Sequence, residues 1–227
     1  MIQSRQEIKA TAKSAMKAQW GTSIGTLLLF ALISIIVVML ATPFLIAFIS
    51  NQSLASMNLY YLIIIALAIF ILSPLTVNVN GIFTKIYRCE PTRVGDMVSN
   101  FPVNYLRKVG GMAWMALFTF LWTLLLFIPG IIKGISYSMT PYILADCPNV
   151  TAKEALKLSM RMTDGHKAKL FVLGLSFIGW FLLSSFTFGI LAIVFVNPYM
   201  STSFAGYYVE LKQNALATGY ISEAELA

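Results

Sequence analysis

Apolar residues along this chain come in long blocks, and the polar stretches between them carry most of the charge. Six blocks can be delimited, at about 22–49, 59–83, 109–128, 131–146, 168–188 and 190–210. A bilayer core of ~30 Å takes about 20 apolar residues per helix, so the blocks predict membrane-spanning helices. The fourth is the shortest and is diluted by Ser136, Ser138 and Thr140. The pattern predicts an all-α, polytopic membrane helix bundle with six transmembrane helices in a single domain, 1–227.

Two polar stretches have a helical period of their own. Residues 4–20 place Arg5, Lys9, Lys13 and Lys17 at four-residue steps beside Ile8, Ala12, Met16 and Trp20. Residues 151–163 repeat the pattern with Lys153, Lys157 and Arg161, and Thr151 with Glu154 forms a capping-box signature. Both are expected to be amphipathic helices lying on the cytoplasmic leaflet, with these seven basic residues facing anionic lipids. A docking surface for an unidentified cytoplasmic protein is the other use of such a face.

Charge orients the bundle. Under a six-span count, 15 of the 16 Lys and Arg residues fall on one side, together with all nine acidic residues. The excess of basic residues puts that side, and both termini, in the cytoplasm of a cell whose plasma membrane the chain crosses repeatedly. The remaining cation is Lys133, in "FIPGIIKGISYSMTPY" (127–142). Pro129 and Gly130 are expected to turn the chain on the outer side, leaving Lys133 in the first turn of the descending helix. There its stem can lift the ammonium to the outer headgroups, or the charge can attract an anionic lipid or substrate.

Composition narrows the possible chemistry. The chain is 58% hydrophobic and 11% charged. The first apolar block, beginning near Thr22 after a polar segment, is longer than a cleavable signal sequence requires. One histidine and two cysteines (Cys89 and Cys147) supply no metal-ligand set, and no spacing suggests a disulfide. The expected bilayer interior holds no Asp, Glu or His, the groups that proton- or sodium-coupled transporters place there. No catalytic motif, cofactor loop or nucleic-acid signature is present. A hydrolase built from Asp146, Asp164 and His166 is conceivable, but no spacing recommends it.

Prolines interrupt each descending helix, at Pro74, Pro141 and Pro198. Each removes a backbone N–H and frees a carbonyl four residues earlier, at Phe70, Tyr137 and Val194. In lipid those carbonyls need partners. Asn78, Asn80, Thr140 and Asn197 stand near them in sequence and suggest a polar seam. "FLWTLLLFIPGI" (120–131) and "WFLLSSFTFGI" (180–190) also echo each other, each followed by a Pro-Tyr pair, Pro141-Tyr142 and Pro198-Tyr199. The candidate ligand or lipid contacts are therefore Asn78, Asn80, Lys133, Tyr137, Tyr142, Asn197 and Tyr199. Structural kinks and interhelical hydrogen bonds would account for the same residues.

The stretches "IPGIIKGISYSMTPYILAD", "AKEALKLSMRMTDGHKAKLFVLGLSFIGW" and "NPYMSTSFAGYY" resemble a domain-of-unknown-function family of bacterial multi-pass integral membrane proteins, mainly Gram-positive. That family is distantly similar to the membrane domain attached to some glycerophosphodiester phosphodiesterases. Ile128-Pro129-Gly130, Tyr137, the region of Gly165 and Phe177-Ile178-Gly179-Trp180 carry the resemblance. Asp164-Gly165 departs from the Gly-rich "KG" of the relatives. The resemblance implies a multi-pass architecture and transfers no catalytic residue, and no soluble phosphodiesterase domain is expected here. The expected function is a non-enzymatic membrane protein, without a cofactor, that interacts with lipids or membrane-active molecules in envelope homeostasis or as a membrane subunit. A small transporter or lipid translocator using the proline-kinked seam is the alternative, and an intramembrane enzyme comes third.

Overall fold

The computed structural model describes residues 3–51 and 54–226, in which the regular structure is all helical, with no strand among them. The helices are α1 (Arg5–Ala18), α2 (Trp20–Asn51), α3 (Leu54–Leu67), α4 (Ser73–Tyr87), α5 (Asp96–Ser99), α6 (Tyr105–Leu125), α7 (Phe127–Tyr137), α8 (Thr140–Asp146), α9 (Ala152–Thr163), α10 (Lys167–Leu175), α11 (Ile178–Ser185) and α12 (Asn197–Ala217). Part of the expected outer loop, Gln52 and Ser53, lies outside the described residues. Four helical stretches are long and apolar enough to cross a membrane: Trp20–Leu40, Asn58–Tyr87, Tyr105–Leu125 and Lys167–Ser185.

The expected spans 131–146 and 190–210 are not among these four. Residues 131–146 divide into α7 and α8 at Ser138 and Met139, and 190–210 begins as a π-helical turn, Ala192–Val196, before α12. A second π-helical turn, Ala68–Leu72, precedes α4. In all three stretches the irregularity falls just before a proline, and Pro74, Pro141 and Pro198 each sit in the first turn of the following helix. There a missing N–H costs no intrahelical bond.

The carbonyls at these breaks have partners, but not the expected asparagines. Tyr105 Oη donates to Phe70 O at 2.6 Å, and Trp20 Nε1 donates to Val194 O at 3.3 Å. At the middle break the bonded carbonyl is Ser136 O rather than that of Tyr137. It accepts from Ser159 Oγ at 2.7 Å, while Met139 N donates to the same hydroxyl at 3.2 Å. Asn80 instead donates to Thr76 O on its own helix. A donor from a neighbouring helix is held at the right height by packing, which sequence proximity does not ensure. Ser159→Ala removes a buried donor and should cost about 1–3 kcal/mol in thermal unfolding in detergent. Tyr105→Phe, at a more open position, should cost about 1 kcal/mol. Equal, negligible losses would show that the breaks need no cap.

The turn between α6 and α7 is also not where expected. Leu126 alone is extended (φ −158°, ψ 134°), and Pro129 and Gly130 lie inside the first turn of α7. A Cβ on Gly130 would fall 2.7 Å from the Thr123 backbone, so glycine here permits close approach of the two helices rather than the reversal. Lys133 therefore stands seven residues past the reversal, about 10 Å along the helix, and its Nζ lies 5.1 Å from the Trp122 ring centroid.

Packing is concentrated at the basic end. Helices α1, α4, α8, α9 and α12 bury Ile8, Met16, Phe83, Ile86, Ile143, Leu158 and Tyr208 in one core. The opposite ends of the helical hairpins present apolar side chains outward: Leu124, Leu125, Phe127, Phe186 and Phe188, the last 98% exposed. Contiguous apolar surface on this scale suits contact with lipid or with another protein. The capping boxes of α1 (Ser4 and Glu7) and α9 (Thr151 and Glu154) form. Their apolar stripes are buried against protein rather than left open to lipid. Ile8, Ala12, Ala15 and Met16 are buried against α12 and α4, and Ala155, Leu158 and Met162 against α6, α7 and α8. The bases of the spanning helices offer each stripe a nearer apolar surface than lipid does.

Candidate functional site

Two charged assemblies lie where the spanning helices meet the basic side. The first is centred on Asp146, the last residue of α8. Its carboxylate takes two bonds from Arg88, Nη1 to Oδ1 at 2.6 Å and Nη2 to Oδ2 at 3.0 Å. Lys212 Nζ donates to Oδ2 at 2.6 Å and Tyr208 Oη to the same oxygen at 2.9 Å. Arg88 follows α4, Lys212 and Tyr208 belong to α12, and the carboxylate thus joins three core elements. The hydrogen bond to Asp146 pushes the Arg88 guanidinium above its ordinary pKa. Tyr142 stacks on Tyr208 with ring centroids 5.5 Å apart, covering the cluster from the apolar side.

The second assembly lies at the start of α6. Arg107 Nη1 donates to Cys147 O and Val150 O, both at 2.7 Å, and Nη2 to Leu144 O at 2.5 Å. These are the carbonyls at and beyond the C-terminus of α8, where a helix attracts cations. Beside it Lys108, 5% exposed, donates from Nζ to Asn78 Oδ1 at 2.6 Å and Asn100 O at 2.7 Å. Asn78 Nδ2 in turn donates to Met97 O at 2.8 Å, fixing the amide. These groups border a cavity of about 170 Å³ whose lining includes Lys85, Asp96, Asn100 and Asn104.

The sequence candidates divide among separate surroundings. Asn78 belongs to the Lys108 cavity and Tyr142 to the Asp146 cluster. Tyr199 packs edge-on against Phe177, whose ring is 4.2 Å from Lys9 Nζ. Tyr137 is buried and contacts Phe118, Asn197 is half-buried at the head of α12, and Lys133 lies against Trp122. These residues do not form one continuous seam. Of the basic face, Arg5, Lys13, Lys17, Lys153 and Lys157 are exposed. Lys9 also donates to Ser176 Oγ at 3.0 Å, and Arg161 pairs with Glu225 at 2.6 Å and donates to Tyr220 O. Lys153 stands 5.1 Å from the Trp114 ring. Asp164 pairs with Lys167 rather than with His166, so the conceivable hydrolase residues are not assembled.

Sequence reasoning counted Arg88, Arg107, Lys108 and Lys212 only as orientation signals and passed over Asp146 as a partner. The available signal was position: each stands within a turn or so of an apolar block, where a charge must find a partner or reach water.

The profile of a family described as "Protein of unknown function (DUF975)" matches residues 107–215. That segment contains Arg107, Lys108, Asp146 and Lys212 but excludes Arg88, Asn78 and Asn100, which complete the two assemblies. No curated protein and no solved structure matches the chain.

Proposed function

We propose that this is a non-enzymatic multi-pass protein of the plasma membrane, with six crossings and both termini in the cytoplasm, that holds lipids or membrane-active molecules. It would serve envelope homeostasis or act as the membrane subunit of a cytoplasmic partner. The observation that carries this reading is the asymmetry of the molecule: a packed, basic base at one end and outward-facing apolar helices at the other. The exposed Lys13, Lys17, Lys153 and Lys157 supply an attractive surface for anionic lipid. A transporter using the proline breaks has less support, because Tyr105, Trp20 and Ser159 already occupy carbonyls at those breaks.

Cysteine labelling in intact cells tests the six crossings. In a Cys89→Ser/Cys147→Ala background, Phe127→Cys should react with a membrane-impermeant thiol reagent, and Lys133→Cys more slowly because it lies about 10 Å further from the reversal. Lys157→Cys should react only after permeabilisation. If position 127 reacts only once the membrane is opened, residues 105–146 form a re-entrant pair and the count falls to four.

A further inference from the structure

The cavity at the foot of α4 and α6 carries an excess of positive charge. Lys85, Arg107 and Lys108 border it, against one carboxylate, Asp96. Asp96 Oδ2 accepts from Arg93 N. Among the described residues neither Arg107 nor Lys108 forms an ion pair. Every acceptor they reach is neutral, an amide oxygen or a carbonyl. Lys108 has three N–H donors and two partners. Arg107 Nε is buried with no partner. The same protein shows how it neutralises a buried cation when the purpose is cohesion: Lys212 and Arg88 are given Asp146. Lys108, more buried than either, is given none.

We propose that this cavity binds a phosphate group, supplied by an anionic phospholipid headgroup or by a soluble phosphate, with Lys108 and Arg107 at its floor and Lys85 at its rim. The idea rests on the membrane reading above for the lipid source alone. A phosphate would give the floor the negative partner that a buried ammonium requires. The size is appropriate: about 170 Å³ lies below the ~300–1,000 Å³ of sites that enclose a whole small molecule, so a headgroup fits and an extended substrate does not. The depth is appropriate as well. Asn78, which anchors Lys108, lies seven residues inward from Lys85 on α4, about 10 Å, and basic pockets between spanning helices on the cytoplasmic side suit phospholipid headgroups. Asn100 and Asn104 line the same wall, the Asn104 amide donating to Pro148 O at 3.3 Å.

The test uses the full chain, delipidated in neutral detergent and then placed in phosphatidylcholine nanodiscs containing a minority of phosphatidylglycerol. Native mass spectrometry should find phosphatidylglycerol retained above its bulk fraction. Lys85→Gln, at an exposed position, should lower that retention about five-fold. Asp96→Asn should raise it, and Lys108→Gln should abolish it. A Lys13→Gln/Lys157→Gln control, on the exposed basic face outside the cavity, should lower it much less than Lys85→Gln does. In parallel, inorganic phosphate is added to the detergent-solubilised protein and the melting temperature followed. A rise lost in Lys85→Gln without lipid enrichment assigns the site to soluble phosphate, and enrichment without a rise assigns it to lipid. No enrichment together with no rise overturns the proposal. So does a Lys13→Gln/Lys157→Gln loss as large as that of Lys85→Gln, which would mean diffuse surface attraction. A chain that stays soluble without detergent would sink the membrane reading, while the phosphate arm would still decide the site.

Discussion

Asp146→Asn should lower the unfolding midpoint in detergent by about 10 °C. The carboxylate is only 12% exposed and serves two cations and a tyrosine hydroxyl. Asparagine keeps the shape but leaves Arg88 and Lys212 facing each other without an anion. Breaking a buried pair by removing one partner costs about 3–5 kcal/mol, because the remaining charge stays desolvated. At about 2–4 °C per kcal/mol for a chain of this size, the midpoint shift follows. Lys212→Met should cost much less. It removes one cation and leaves the bidentate Arg88–Asp146 pair at 2.6 and 3.0 Å intact. Equal losses in the two variants would mean that Asp146 does not act as a shared hub. A loss below about 1 kcal/mol in Asp146→Asn would place the cluster among solvent-screened surface pairs.

Gly206→Ala is expected to be the most damaging single-methyl addition in the helices. A Cβ there would clash with three atoms of the Tyr87 ring, Cε2, Cζ and Cδ2. A ring is stiff and Tyr87 is buried in the core between α4 and α12, so the helices must separate. Overpacking of this kind costs about 1–3 kcal/mol. Gly111→Ala is the informative contrast. Its nearest atom, Leu144 Cδ1, is also close, at 2.5 Å, but is the end of a flexible side chain. Rotation of that leucine can offset the contact, and alanine favours the helix by about 0.5–1 kcal/mol over glycine. The double variant Tyr87→Leu/Gly206→Ala should recover part of the loss, read as a coupling energy between the two sites. Similar midpoints for Gly206→Ala and Gly111→Ala would refute the distinction between a rigid and a flexible neighbour.

The helical class, the order of the apolar helices and the capping box of α9 could be read directly from the residues, because each depends on neighbours three to twenty positions apart; the box of α1, Ser4 with Glu7, was not singled out. Block length and polarity suffice for the spanning helices Trp20–Leu40 and Tyr105–Leu125. Thr151 and Glu154 suffice for the start of α9. The three proline breaks were equally local, since proline cannot donate a backbone hydrogen bond wherever it stands.

Partner choice was not local. The donors at the proline breaks lie far along the chain, Tyr105 for Phe70 and Trp20 for Val194. Local composition suggested nearby asparagines instead. The reversal at Leu126 in place of Pro129-Gly130 depends on α6 and α7 packing closely enough for Gly130 to meet Thr123. The apolar stripes of α1 and α9 announce amphipathic helices in the sequence, but whether such a stripe meets lipid or protein depends on which apolar surface stands beside it. The charges show the same division most clearly. Under a six-span count, sequence alone collects the basic residues on one side, because that is a matter of count and position. Only the tertiary structure decided that Lys212 and Arg88 share Asp146 while Lys108 receives no anion, because Coulomb attraction and desolvation depend on separations of a few ångströms between residues distant in the chain.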